Sequence, residues 1–156
     1  MNSELVSVVL LSIGTLCTSF VLGANIYEQI VFIPTWLTPE GLETWRTVVH
    51  RVNPGYFFLT FGPTGLLALA ASTIVGWNDP GGRYRFTLAA TLAVLAALVL
   101  TAVYFVPTNM KLFMNPPPDL APAQATAMVE RWIAVNRVRV ALAFAAVVCA
   151  MIAMRR

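Results

Sequence analysis

Three stretches of this chain run for about twenty residues or more without a charged side chain, the length that crosses the hydrocarbon core of a bilayer. They are Leu5 to Tyr27, Tyr56 to Trp77 and Phe86 to Met110. A fourth, Val140 to Met154, is short for a span. It reaches the needed length only if Trp132 to Arg139 is joined to it, which carries Arg137 and Arg139 into or near the membrane. Charged residues are 11% of the 156-residue chain, against about 25% in soluble domains, so there is too little charge to coat a water-facing surface. Spanning backbone must satisfy its own polar groups, and Ala, Leu and Val dominate without alternating polar positions, so helices are expected rather than a barrel. The expected fold is all-α: one integral membrane four-helix bundle with spans at about 5–33, 56–77, 85–107 and 131–154.

The connections differ in kind. Asn78-Asp79-Pro80-Gly81-Gly82 is a tight polar turn that makes helices two and three antiparallel neighbours. Between helices one and two, Thr38-Pro39-Glu40 reads as a helix start with Thr as cap and Pro in the first turn. Leu42, Trp45, Val49 and Val52 then recur at helical spacing, with Glu43, Thr47 and His50 on another side, and Asn53-Pro54-Gly55 stops the run. This predicts a short interfacial helix lying on the membrane surface. Asn115-Pro116-Pro117-Pro118-Asp119 is a stiff spacer before helix four. Pro34 is expected to end or bend helix one. Gly62-Pro63-Thr64-Gly65 either kinks helix two or lets a neighbour come close. The start, Met1-Asn2-Ser3-Glu4, has no basic stretch, and the run after it is longer than a signal core, so it reads as a retained helix.

Four spans place both termini and the 78–85 turn on one face and the two longer connections on the other, the loop face. The unusual polar residues gather toward the loop face. Asn25 and Glu28 lie one turn apart near the end of helix one, and Thr108 and Asn109 end helix three. Trp132, Asn136 and Arg139 make one stripe on helix four, and His50 is the only histidine. At 1.5 Å per residue Glu28 sits roughly 8 Å inside Ile33, and Arg139 roughly 12 Å inside Arg131, so the two can meet at similar depth. An ionisable group in a span costs about 2.5–3.5 kcal/mol on insertion scales and usually faces the bundle interior with a partner. The expectation is that Glu28 pairs with Arg139 (or Arg137) and that Asn25, Asn109 and Asn136 complete a hydrogen-bonded pocket. Helices two and three read mainly as scaffold, apart from the Thr108-Asn109 end.

One histidine and two separated thiols, Cys17 and Cys149, argue against a dedicated metal site, and the thiols are expected not to pair. The net charge of +3 lies mostly at segment ends and gives no nucleic-acid footprint. The expected partners are the lipid bilayer and a lipophilic small molecule. Glu28 or His50 is the candidate base, Arg139 and the amides the candidate holders of an anion, and Tyr27 and Trp132 further contacts for the substrate. The basic residues balance between the two faces; Arg155-Arg156 closing a span favours cytoplasmic termini. Gly14, Gly23 and the helix-two glycines can serve packing within one bundle or in a homo-oligomer.

The chain resembles the anthrone oxygenase-like family of small four-helix membrane proteins. The resemblance rests on Gly23-Ala24-Asn25-Ile26-Tyr27-Glu28, Val52-Asn53-Pro54, Val106-Pro107-Thr108-Asn109, and Trp132 with Asn136 and Arg139, in that order. It implies a four-helix fold and oxygenation of an anthrone-type aromatic or polyketide-type substrate without metal or cofactor, dioxygen being the co-substrate. The matching positions are Asn25, Glu28, Pro107, Asn109, Trp132, Asn136 and Arg139. From a different class, the same residues suit a non-catalytic membrane binding or carrier protein for a lipophilic small molecule; a third reading is a structural subunit whose polar residues pin the helices.

Overall fold

Prolines decide where the long helices of this chain change course. Proline cannot donate to the ladder, and its ring crowds the carbonyl four residues before it. In the computed structural model, which describes residues 3–156, Pro34 does not end helix one. The Ile33 N–H reaches back five residues to the Glu28 carbonyl and closes a wide turn over Glu28–Phe32. A tighter turn over Ile33–Leu37 follows. Helix three absorbs Pro107 in the same way. Val106 N–H bonds Thr101 carbonyl, and farther on Asn115 N–H bonds Met110 carbonyl at 2.7 Å. Widening keeps the backbone bonded where a clean break would expose bare polar groups to lipid. Helices one and three are therefore longer than expected, reaching Leu37 and Met114 rather than 33 and 107.

The elements are α1 (Ser3–Leu37), α2 (Pro39–Arg51), α3 (Gly55–Val75), α4 (Arg83–Met114) and α5 (Pro122–Met154). All but α2 are long and apolar enough to cross a membrane. The protein is a multi-pass membrane protein whose spans form a four-helix bundle. Residues 1 and 2 of the Met1-Asn2-Ser3-Glu4 start lie outside the described residues. Each long helix packs on two others, α1 on α3 and α5, α4 on α3 and α5, so the bundle is a square of antiparallel neighbours. Arg83 lies 3.6 Å from Glu4 and 3.5 Å from Asp79, which brings the start of α1 to the α3–α4 turn at one end.

Small residues bring α1 and α3 together. A Cβ on Gly14 would stand 2.7 Å from Leu69 Cγ, and one on Gly65 3.2 Å from Cys17 Cβ. Ser72 Oγ donates to the Ser7 carbonyl at 2.8 Å, and Ser7 Oγ donates back to the Ser72 carbonyl at 3.2 Å. Close backbone approach and interhelical hydrogen bonds replace the hydrophobic effect between helices in lipid. Replacing Gly14 by Val should lower stability by about 1–3 kcal/mol through overpacking. Gly23→Val, where a Cβ meets nothing within 4 Å, is the control and should change little. Thermal unfolding in detergent reads both. The two cysteines are free: Cys17 is buried against α3, and Cys149 packs beside the core at the terminal end.

At the loop end α2 begins as the sequence indicates, with Gly41 N–H bonded to Thr38 Oγ1 at 3.1 Å and Pro39 in the first turn. Leu42, Trp45 and Val49 are buried, whereas Val52, expected on the same face, is 72% exposed just past the helix end. The helix is more than a surface rider. Its buried face joins Ile33, Trp36, Phe105, Phe113 and Trp132 in one core, and Arg46 Nε donates to the Leu112 carbonyl at 2.8 Å. α2 thus plugs the loop end of the bundle. A second core of Leu11, Leu69, Ala90, Val94 and small alanines fills the terminal end.

Candidate functional site

Along the inner faces of all four long helices, roofed by α2, lies a cavity of about 340 Å³. That is within the ~300–1,000 Å³ of small-molecule sites. Its walls are largely apolar, with a cluster of aromatic rings toward the loop end. Trp36 stands at the hub, with ring centroids 5.1 Å from Trp45, 5.0 Å from Phe113 and 5.1 Å from Trp132. Phe105 stands edge-on to Trp132 at 5.0 Å. The tight turn over Ile33–Leu37 puts Trp36 there: an ordinary helix end at Ile33 would have released it into the connection.

Arg139 is the one cation on the wall among the described residues. It is 7% exposed. Its guanidinium carbon lies 4.0 Å from the Phe105 ring centroid, with Trp132 at 5.6 Å and Phe58 at 5.7 Å. A desolvated cation over such rings gains about 2 kcal/mol, which offsets much of its insertion cost. Its Nε donates to Asn136 Oδ1 at 3.0 Å, and Asn136 Nδ2 donates to Gln29 Oε1 at 2.9 Å. The chain Gln29–Asn136–Arg139 therefore links α1 to α5 and sets the plane of the guanidinium.

Glu28, first residue of the wide turn in α1, lines the same cavity. The expected partner is Arg139: the two charges interact across the cavity, though not through a direct salt bridge. Among the described residues the ion pairs are Arg46–Glu43, Arg83–Glu4 and Arg83–Asp79, and none joins Glu28 to Arg139 or Arg137. The two charges share one chamber without closing on each other, because Arg139 is drawn toward Asn136 and Phe105. Arg137 is exposed.

Asn25, Asn109 and Trp132 also line the cavity. Trp132 Nε1 donates to Asn109 Oδ1 at 2.8 Å, tying α5 to α4. Asn136 stands behind Arg139 rather than on the wall, holding it. Two expected site residues are not brought in. His50 is exposed on the outer side of α2, where the helical register that buries Trp45 and Val49 turns it away. Tyr27 is 55% exposed and packs on Phe32 outside the cavity. α3 and α4 are more than scaffold, since Phe58, Pro63, Phe105 and Asn109 all form wall. Sequence reasoning missed Gln29, Trp36, Trp45, Phe58 and Phe105. The three loop-face tryptophans were the available signal, since indoles with a polar edge seldom bury without a purpose.

A family model described as Anthrone oxygenase matches residues 45–149. No curated protein and no solved structure matches the chain. The matched stretch holds Asn109, Trp132, Asn136 and Arg139, and stops short of Asn25 and Glu28 on α1. It covers more than half of the sequence, has its cavity-forming helices α3 and α4 entire, and agrees with the four-span architecture: the chain belongs to the anthrone oxygenase family.

Proposed function

We propose that the protein is a membrane-embedded oxygenase that converts a lipophilic, anthrone-type aromatic to its quinone without metal or organic cofactor. The observation that carries this reading is one apolar, ring-lined cavity with the Glu28 carboxylate and the Arg139 guanidinium both on it, near enough to feel each other's charge but with no direct salt bridge between them. A carboxylate not locked in a salt bridge can take a proton, and the cation across the same cavity can hold the anion that results.

Glu28 removes one proton from the ring CH2, and the electron pair spreads over the fused rings onto the carbonyl oxygen, where Arg139 holds it. The carbanion passes one electron to dioxygen, and the two radicals join in a C–O bond. Glu28 returns its proton to the resulting peroxide. Loss of water, with the second ring hydrogen leaving as a proton, turns the C–O–OH carbon into a carbonyl. One dioxygen and one CH2 give one C=O and one water. The apolar walls admit a substrate from lipid and exclude water from the anion.

The test is oxygen uptake by the purified protein in lipid nanodiscs with a panel of anthrones. One dioxygen consumed per quinone formed, well above the spontaneous rate, is expected. No acceleration across the panel would overturn the reading. A second reading, a non-catalytic carrier for the same class of molecule, draws on the family match starting beyond Glu28. It predicts binding with the ligand recovered unchanged.

A further inference from the structure

Two buried polar atoms, on residues that line the cavity, have no partner among the described residues. Asn25 Nδ2 donates to the Val21 carbonyl at 2.8 Å, which fixes the amide, because the reverse orientation would set two oxygens against each other. Asn25 Oδ1 is therefore an acceptor, and no donor reaches it. Trp36 Nε1 is a donor, and no acceptor reaches it. Both side chains are more than nine-tenths buried, at 0% and 3% exposure, and both line the cavity. Buried polar groups are nearly always bonded, since leaving one bare costs about 1–3 kcal/mol. The neighbouring indole shows that this cluster can satisfy an N–H: Trp132 has Asn109. The two orphans are thus of opposite kind, one acceptor and one donor. They stand eleven positions apart on α1, roughly 16 Å at the helical rise, with Glu28 between them.

We propose that Asn25 and Trp36 are a specificity-determining pair, which selects a flat aromatic with a hydroxyl at the end near Asn25 and an acceptor oxygen at the end near Trp36. This rests on the reading of the cavity as a site for fused aromatic rings. The hydroxyl donates to Asn25 Oδ1, the far oxygen accepts from Trp36 Nε1, and the molecule lies along α1 with Glu28 beside the half nearer Asn25. A site built to hydrogen-bond its ligand rejects an analogue without the matching group far better than an apolar wall can.

Non-reacting tricyclic quinones test the pair by equilibrium dialysis against the protein in nanodiscs, with empty nanodiscs as the partitioning control. The first probe carries a hydroxyl at one end and a methoxy at the other; the second has methoxy at both ends; the third has the hydroxyl alone. Wild type should bind the first about tenfold more tightly than the second and about tenfold more tightly than the third. Asn25→Leu, or Asn25→Ala if the former does not fold, should erase the first difference and keep the second. Trp36→Phe, which keeps an aromatic wall, should erase the second and keep the first. A purely structural role would weaken all three probes alike. If the probes bind and the variants discriminate as wild type does, the pair is overturned and the aromatic cavity stands. If no probe binds, the aromatic reading falls, and the pair with it.

Discussion

Replacing Glu28 by Gln is expected to cut anthrone-dependent oxygen uptake by about 10²- to 10⁴-fold, the usual contribution of a positioned general base. The amide has the shape of the carboxyl group and cannot take the proton. Binding of the product quinone should change little, because among the described residues no hydrogen bond or salt bridge engages the Glu28 carboxylate, which meets Arg139 only across the cavity. Stability should hold or rise, since a neutral side chain in a span avoids an insertion cost of about 2.5–3.5 kcal/mol. Activity, quinone affinity and melting temperature measured together separate a lost base from a lost fold. His50→Ala is the comparison. His50 faces away from the cavity, so uptake should remain near wild type. A Glu28→Gln variant that keeps its rate would remove the carboxylate from the mechanism.

The features that could be read from the sequence are those a bilayer dictates directly. Uncharged runs of spanning length fix the number of helices, and the fixed rise per residue fixes depth. Depth arithmetic alone places Glu28 and Arg139 at one level, and both do line one cavity. Rotation about the helix axis is another matter. α3 and α4 are apolar nearly all round, so no polar stripe marks which side faces inward. Phe58 and Phe105 therefore read as scaffold although they form wall and hold Arg139.

The prolines hide more. A turn closed five residues back instead of four advances every later side chain around the axis. In α1 this happens at Glu28–Phe32, just where the site is built. Gln29 becomes the partner of Asn136, and Trp36 swings into the core, and neither follows from an ideal helix. The exposure of His50 has a simpler cause: its position on α2, away from the side that buries Trp45 and Val49, puts it outside.

Arg139→Met should lower the turnover number by about 10²- to 10³-fold, the usual loss when a preorganised group that stabilises a developing oxyanion is removed. Methionine keeps an apolar filler against Phe105, so the loss is one of charge more than of volume. Arg139→Lys should recover little of it. An ammonium cannot present a planar face to Phe105 at 4.0 Å and at the same time donate sideways to Asn136 at 3.0 Å. Asn136→Leu leaves the charge and removes what orients it, so it should fall between wild type and Arg139→Met, with Gln29→Leu following the same direction. Combining Glu28→Gln with Arg139→Met should cost far less than the product of the two single losses, because an anion that never forms needs no holder. The split between turnover number and KM decides the role of Arg139. If the guanidinium meets only the anion, turnover falls and KM holds. A rise in KM alone would mean that Arg139 grips the substrate from the outset, and the task of holding the charge would pass to another polar group of the wall, such as the Asn109 amide.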